Sequence, residues 1–174
     1  MDNNFSRRKF LKKGIAAGAI LPLSGMIFQS AGFAQSQPQQ RSDRGPRLAL
    51  ETVEEFVRVA HGNLARVKEM LEKQPALINA TWDWGGGDWE TGLGGASHMG
   101  RRDIALYLLG HNARMDVFAA AMLGKLQIVK AAIAAFPGIP KVPGPHGIPL
   151  IVHARKGGEE AAAVLEFLER LAQS

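Results

Sequence analysis

Apolar residues recur at i, i+3 and i+4 in four places: Val67, Met70, Leu71; Ile104, Tyr107, Leu108; Val129, Ala132, Ile133; and Val164, Phe167, Leu168. That spacing lines up each trio on one stripe of an α-helix. Each trio follows a glycine, and before each glycine lies a shorter segment of smaller residues. These segments are Phe56–His61 before Gly62, Leu93–Met99 before Gly100, Phe118–Leu123 before Gly124 and Leu150–Lys156 before Gly157. The pattern predicts four units, each a small first helix, a glycine turn and a second helix rich in Leu and Ile. Such a pair cannot bury its apolar face alone, so the units must stack, which predicts an all-α chain. Two stretches break the pattern. In Thr81-Trp82-Asp83-Trp84-Gly85-Gly86-Gly87-Asp88-Trp89-Glu90, polar and aromatic residues mirror each other around a triple glycine. That predicts two short strands closed by a permissive turn, with Trp82 and Trp84 on one face and Asp83 on the other. Four prolines between Pro137 and Gly147 predict an irregular loop, because proline removes backbone donors.

The spacing of the turn glycines sharpens the picture. They lie 38, 24 and 33 residues apart. The run from Thr91 to Asp116 resembles a complete ankyrin unit, with Asn112 where that family places a glycine; both residues tolerate a left-handed helix end. Ile148-Pro149-Leu150 stands at that family's Thr-Pro-Leu offset before Gly157, while Gly94 and Ile151 occupy the positions where it places histidine. The resemblance covers residues 50–172. It implies an ankyrin-like helix-turn-helix solenoid with repeats at about 50–80, 90–116, 117–137 and 147–172. Against a repeat period of about 33, the first gap has room for a long hairpin finger between repeats 1 and 2, and the second leaves none. The resemblance also implies a non-enzymatic module that binds another protein through its concave face. A large residue at Gly62 is expected to cost well over ~1 kcal/mol if that turn needs a positive φ.

The N-terminus reads as an address. Ser6-Arg7-Arg8-Lys9-Phe10-Leu11-Lys12 resembles a twin-arginine export signal of bacteria, carried by Arg7, Arg8, Phe10 and Leu11. An apolar run from Gly14 to Phe33 follows, interrupted by Pro22, Ser24, Gln29 and Ser30. Small residues at Gly32 and Ala34 place cleavage after Ala34. The expected organisation is a signal peptide at 1–34, a disordered linker at 35–47 and one domain at 48–174. The expected destination is the periplasm, through the twin-arginine translocase, with membrane contact only through the signal before cleavage. An uncut signal would instead tether the domain at the inner membrane.

Removing the signal alters the charge balance. The chain carries 21 basic and 16 acidic residues, but beyond Ala34 the count is 16 against 15. A basic surface for nucleic acid is therefore not indicated. There is no cysteine, which excludes disulfides and thiolate metal sites.

The Trp-rich finger is the candidate interaction site. The partner-binding residues expected there are Trp82, Asp83, Trp84, Asp88, Trp89 and Glu90, with Arg101 and Arg102 supplying opposite charge nearby; the partner is another periplasmic or membrane-attached protein. Exposed tryptophan makes a strong binding anchor, whereas the plainer reading packs the indoles against each other and the helices. Asp83 and Asp88 beside a glycine turn read as solvated turn residues rather than a catalytic carboxylate pair. His61 and His98 end adjacent first helices and, with Glu90 or Asp103, would suit a metal. No pair has the i, i+4 spacing of two imidazoles on one helical face, however, so the sequence indicates capping or surface histidines, and no metal or cofactor is expected. His111 suits a helix C-terminus and His146 a loop. The alternative function is a small-molecule or carbohydrate binder, or a weak metal-dependent enzyme, built on the finger with His61 and His98.

Overall fold

The computed structural model describes residues 45–173. The export signal at 1–34, including Arg7, Arg8, Phe10, Leu11 and the cleavage point at Ala34, lies outside the described residues, as does the linker up to residue 44. Eight α-helices form four successive pairs: α1 (Leu50–Val59) with α2 (Leu64–Lys73), α3 (Gly92–His98) with α4 (Arg102–Gly110), α5 (Val117–Met122) with α6 (Leu126–Ala135), and α7 (Leu150–Lys156) with α8 (Ala162–Gln173). The predominantly helical class follows from the apolar stripes. Val67, Ile104, Leu108, Val129 and Val164 are wholly buried, as are Phe56 and Val57 of α1. Each such side chain contributes roughly 1.5–3 kcal/mol on burial. None of the described helices is long and apolar enough to cross a membrane.

Local signals fix the helix ends. Asn63, Thr91 and Asp116 accept the N–H groups of Arg66, Gly94 and Ala119 at 3.0, 3.0 and 2.7 Å, each a side-chain cap for an orphan donor. Asn112 takes φ 68°, as its position at a helix end suggests. Gly100 and Gly124 both have φ 71°. Gly62 does not share that conformation: its φ is outside the left-handed region, so backbone strain is no obstacle to a side chain there. The short turn instead presents the Gly62 carbonyl to the Arg101 guanidinium.

The first helices pack in the order α1, α3, α5, α7, and α3 also touches α7 directly. Two hydrophobic cores result, one mainly from α1 to α4 and one from α5 to α8. The stretch before α3 forms a hairpin, β1 (Thr81–Asp83) and β2 (Trp89–Thr91), in the register Thr81↔Thr91, Trp82↔Glu90 and Asp83↔Trp89. Asp83 Oδ1 accepts the N–H groups of Gly85 and Gly87 at 2.9 and 3.1 Å, which closes the glycine turn. No second finger interrupts α4 and α5; Asp116 leads straight into α5. The proline-rich stretch before α7 folds into two short 3₁₀ turns, Ile139–Lys141 and Pro145–Gly147, with Pro143 bridging Pro149. Because α3 lies against α7, the loop entering α7 comes down beside the finger entering α3. That neighbourhood creates the site.

Candidate metal centre

Four side chains from four separate segments converge: His61 just after α1, Glu90 in β2, His98 at the end of α3, and His146 in the proline-rich loop. One ligand atom from each lies within 4.8 Å of the others, the one such group of three or more His, Cys, Asp or Glu among the described residues. Glu90 sits at the middle. Its register opposite Trp82 points it to the inner face of the hairpin, where it is 1% exposed. His98 Nε2 lies 2.9 Å from Glu90 Oε1, and the Nε2 atoms of His61 and His146 each lie 3.3 Å from Oε2. The Nε2 atoms of His61 and His98 are 3.1 Å apart. A tetrahedral ion with bonds of about 2.05 Å to nitrogen and oxygen has donor–donor edges of about 3.3 Å. These four separations, to both oxygens of Glu90, fall near that value, and the four donors together spread to 4.8 Å.

The outer hydrogen bonds determine where the protons are. His61 Nδ1–H donates to the Val57 carbonyl at 2.9 Å, which turns Nε2 toward Glu90. Asp88 grips His146 twice: the backbone N–H donates to Oδ1 at 2.8 Å and Nδ1–H to Oδ2 at 2.7 Å. That turns Nε2 toward the centre. The carboxylate–imidazole pairing is the arrangement that orients metal-bound histidines and raises their basicity. Trp84 Nε1–H donates to Glu90 Oε2 at 2.8 Å and fixes the carboxylate. Glu90 Oε1 is buried against His98 Nε2. Imidazole nitrogens and carboxylate oxygens converge here, and a proton or a metal cation between them relieves the repulsion of their lone pairs.

Electrostatics agree. Burial alone raises the Glu90 carboxyl, but hydrogen bonds from His61, His98 and Trp84 outweigh it and hold the group well below the usual carboxylate range. His61 is raised above the ordinary imidazole value by its hydrogen bond to Glu90, against the opposing effect of burial. Asp88 is lowered, first by the His146 backbone N–H. A negative group held ionised in a buried place, ringed by imidazoles, is a cation site that protons occupy when nothing else does.

The backbone is shaped around these rings. α3 holds Gly92, Gly94 and Gly95 within seven residues, and each mid-helix glycine costs roughly 0.5–1 kcal/mol relative to alanine. A Cβ at Gly95 would stand 2.8 Å from Cε1 and Nδ1 of His61, so the imidazole lies where a side chain would be. His146 has φ 57° and ψ 22°, a left-handed conformation costing a non-glycine residue on the order of 1 kcal/mol. Pro145 O accepts from Ile148 N at 3.1 Å, closing a turn with His146 at its corner. Strain of this kind in a residue held by two hydrogen bonds points to a role for it.

Of the eight residues expected to bind a partner, Glu90, Trp84 and Asp88 lie in this cluster. Trp82 and Trp84 share one face of the hairpin, as the alternation requires, and Trp82 packs partly against the first core. Trp89 stays 61% exposed on the other face. Asp83 serves the turn. Arg101 pairs with Asp103 at 2.7 Å and Arg102 with Glu160 at 3.5 Å, so neither offers a free opposite charge to the finger. Asp103 is thereby removed from the candidate ligands. His111 Nδ1 meets the Tyr107 carbonyl at 2.8 Å at the end of α4, the capping place expected of it. His146 is a loop residue, as expected, and its imidazole joins the cluster. Spacing along the chain did not reveal the cluster, because its members come from distant segments rather than one helix. Comparison with known proteins supplies no relative: no family model, no curated protein and no solved structure matches the chain.

Proposed function

We propose that this domain is a metal-binding module that holds one divalent transition-metal ion through His61, Glu90, His98 and His146. The observation that carries the reading is the convergence of three imidazole Nε2 atoms on one buried carboxylate. Three nitrogens and one oxygen suit zinc, copper, iron or nickel; calcium and magnesium require all-oxygen shells. Asp88 and Trp84 orient the ligands, and the glycines of α3 make room for them. The test is metal content and competition titration of the purified protein beside Glu90→Gln and His98→Ala. One equivalent bound tightly by the native chain, and lost by both variants, supports the centre. Substoichiometric metal in the native protein with no difference among the three would end it.

The four helix pairs and the left-handed Asn112 support an ankyrin-like stack as the frame of this centre. The sequence signal supports export to the periplasm, where a histidine site avoids the oxidation that a thiolate site would face. A second reading, capture of another protein, is favoured by one observation: the exposed indole of Trp89, which faces away from the metal ligands. Loss of a periplasmic partner from Trp89→Ala, with metal content unchanged, would establish it as a separate surface.

A further inference from the structure

A groove of about 430 Å³ lies where α6, α7 and α8 meet, and it shares no residue with the cluster of His61, Glu90, His98 and His146. That volume falls within the range of about 300–1,000 Å³ typical of small-molecule sites. Ile133, Leu150 and Leu168 form its buried floor. Pro137 and Pro140 contribute from the loop after α6, and Leu171 and Ala172 from the last turn of α8. The prolines have no N–H, so the loop side is poor in backbone donors. Lys141 is the one charged side chain in the lining; it is exposed and makes no ion pair among the described residues. Large exposed apolar residues gather here as well. Leu171 is 40% exposed, and Phe136 and Val142, at 69% and 53%, adjoin Pro137 and Lys141 in the chain. Apolar surface left open around a concavity marks a place of contact.

We infer that this groove binds a medium-chain fatty acid, its acyl tail laid over Ile133, Leu150 and Leu168 and its carboxylate paired with Lys141. An apolar bed with a single cation is complementary to a molecule that is aliphatic along its body and anionic at one end. No lining residue is aromatic, and none besides Lys141 has a polar side chain. A ligand with hydrogen-bonding groups along its body would therefore lose water without replacement. A cationic amphiphile would meet Lys141 with like charge. Length follows from volume. At about 30 Å³ per methylene, close to the share of one water molecule in the liquid, a ten-carbon chain fills roughly 300 Å³ and leaves room for its carboxylate. The inference stands apart from the metal reading.

The test is calorimetric titration of the full chain with decanoate, octanoate, decanol and decyltrimethylammonium. Decanoate should saturate at one equivalent, and octanoate, shorter by two methylenes, should bind about tenfold more weakly. Decyltrimethylammonium should not bind. Lys141→Gln should weaken decanoate about three- to fivefold, as loss of an exposed ion pair does, and leave decanol unchanged. Ala172→Trp, at an exposed position in the last turn of α8, should fill the groove and abolish decanoate binding with helical content by circular dichroism unchanged. No saturable decanoate binding, or equal binding by the native chain and Ala172→Trp, would overturn the site. Equal affinity for decanoate and decyltrimethylammonium would overturn the pairing with Lys141. Dimerisation of the native chain, or its retention on phosphatidylglycerol vesicles, lost in Ala172→Trp while free decanoate fails to bind, would give the groove to a second copy or a membrane and overturn the fatty-acid occupant.

Discussion

Gly95→Ala is the most discriminating change available, because it adds one methyl group and removes no ligand. The added Cβ would sit 2.8 Å from two atoms of the His61 ring, and ordinary contact begins near 3.4 Å. The ring must therefore retreat by about 0.6 Å, several times the roughly 0.2 Å tolerance of a metal–nitrogen bond. A loss of 10- to 100-fold in metal affinity is expected, the range seen when supporting residues of a metal site are changed. That corresponds to about 1.4–2.7 kcal/mol. The metal-free protein should respond quite differently. Alanine in a helix gains roughly 0.5–1 kcal/mol over glycine, offsetting the weakened His61–Val57 hydrogen bond of about 1 kcal/mol. Its melting temperature should therefore change little. The assay pairs competition against a chromophoric chelator with thermal melts of the metal-free protein. Gly110→Ala, where a Cβ meets nothing within 4 Å, is the control. Unchanged affinity in Gly95→Ala would refute the claim that α3 is glycine-rich to seat an imidazole; a large fall in metal-free stability would mean the helix needs that glycine for packing alone.

Other perturbations separate the parts of the centre. Asp88→Asn should cost 10- to 100-fold in metal affinity by leaving one acceptor oxygen for the two His146 donors, with helical content by circular dichroism unchanged; equal affinity would remove Asp88 from the assembly. The pH dependence follows from the shifts of Glu90 and His61. Glu90 is lowered, so its stabilisation of the metal-free protein is present above the ordinary carboxyl value near 4.3 and is lost as pH falls through its folded value. His61 is raised, so its contribution is complete below about 6.5 and is lost as pH rises through its folded value. The metal-free melting temperature should thus decline as pH rises above about 6.5, while the zinc-bound one holds or rises because the ion needs neutral imidazole. Parallel curves would contradict the shared-site argument. Trp89→Ala should leave metal affinity within twofold, since that indole lies on the opposite face of the hairpin; a tenfold loss would show that the finger itself had been disturbed.

Much of the frame was legible because it is written in local chemistry. Apolar trios on one helical stripe and a triple glycine between aromatic residues act within a few residues of one another. The centre was not legible for the opposite reason. Asp88 and His146 are 58 positions apart, and only the packing of α3 on α7 makes them neighbours. His61, His98 and Glu90 were visible as a possible trio, but nothing along the chain brought His146 to them. One signal was available: a seven-residue helix with three glycines contradicts helix propensity, and that contradiction marks a place where something must approach closely. The positive φ expected at Gly62 failed because the turn is organised by the Arg101 contact to its carbonyl rather than by a left-handed glycine.

The spread of the four donors along the chain has a temporal meaning. His61, Glu90 and His98 emerge during synthesis well before His146, so a partly made chain offers an ion only three of its ligands. The fourth arrives when the loop leading into the last helix pair is laid against the finger. Firm retention of the ion then certifies that the final pair has docked, and a chain cut short before residue 146 would release its metal and be recognisable as incomplete.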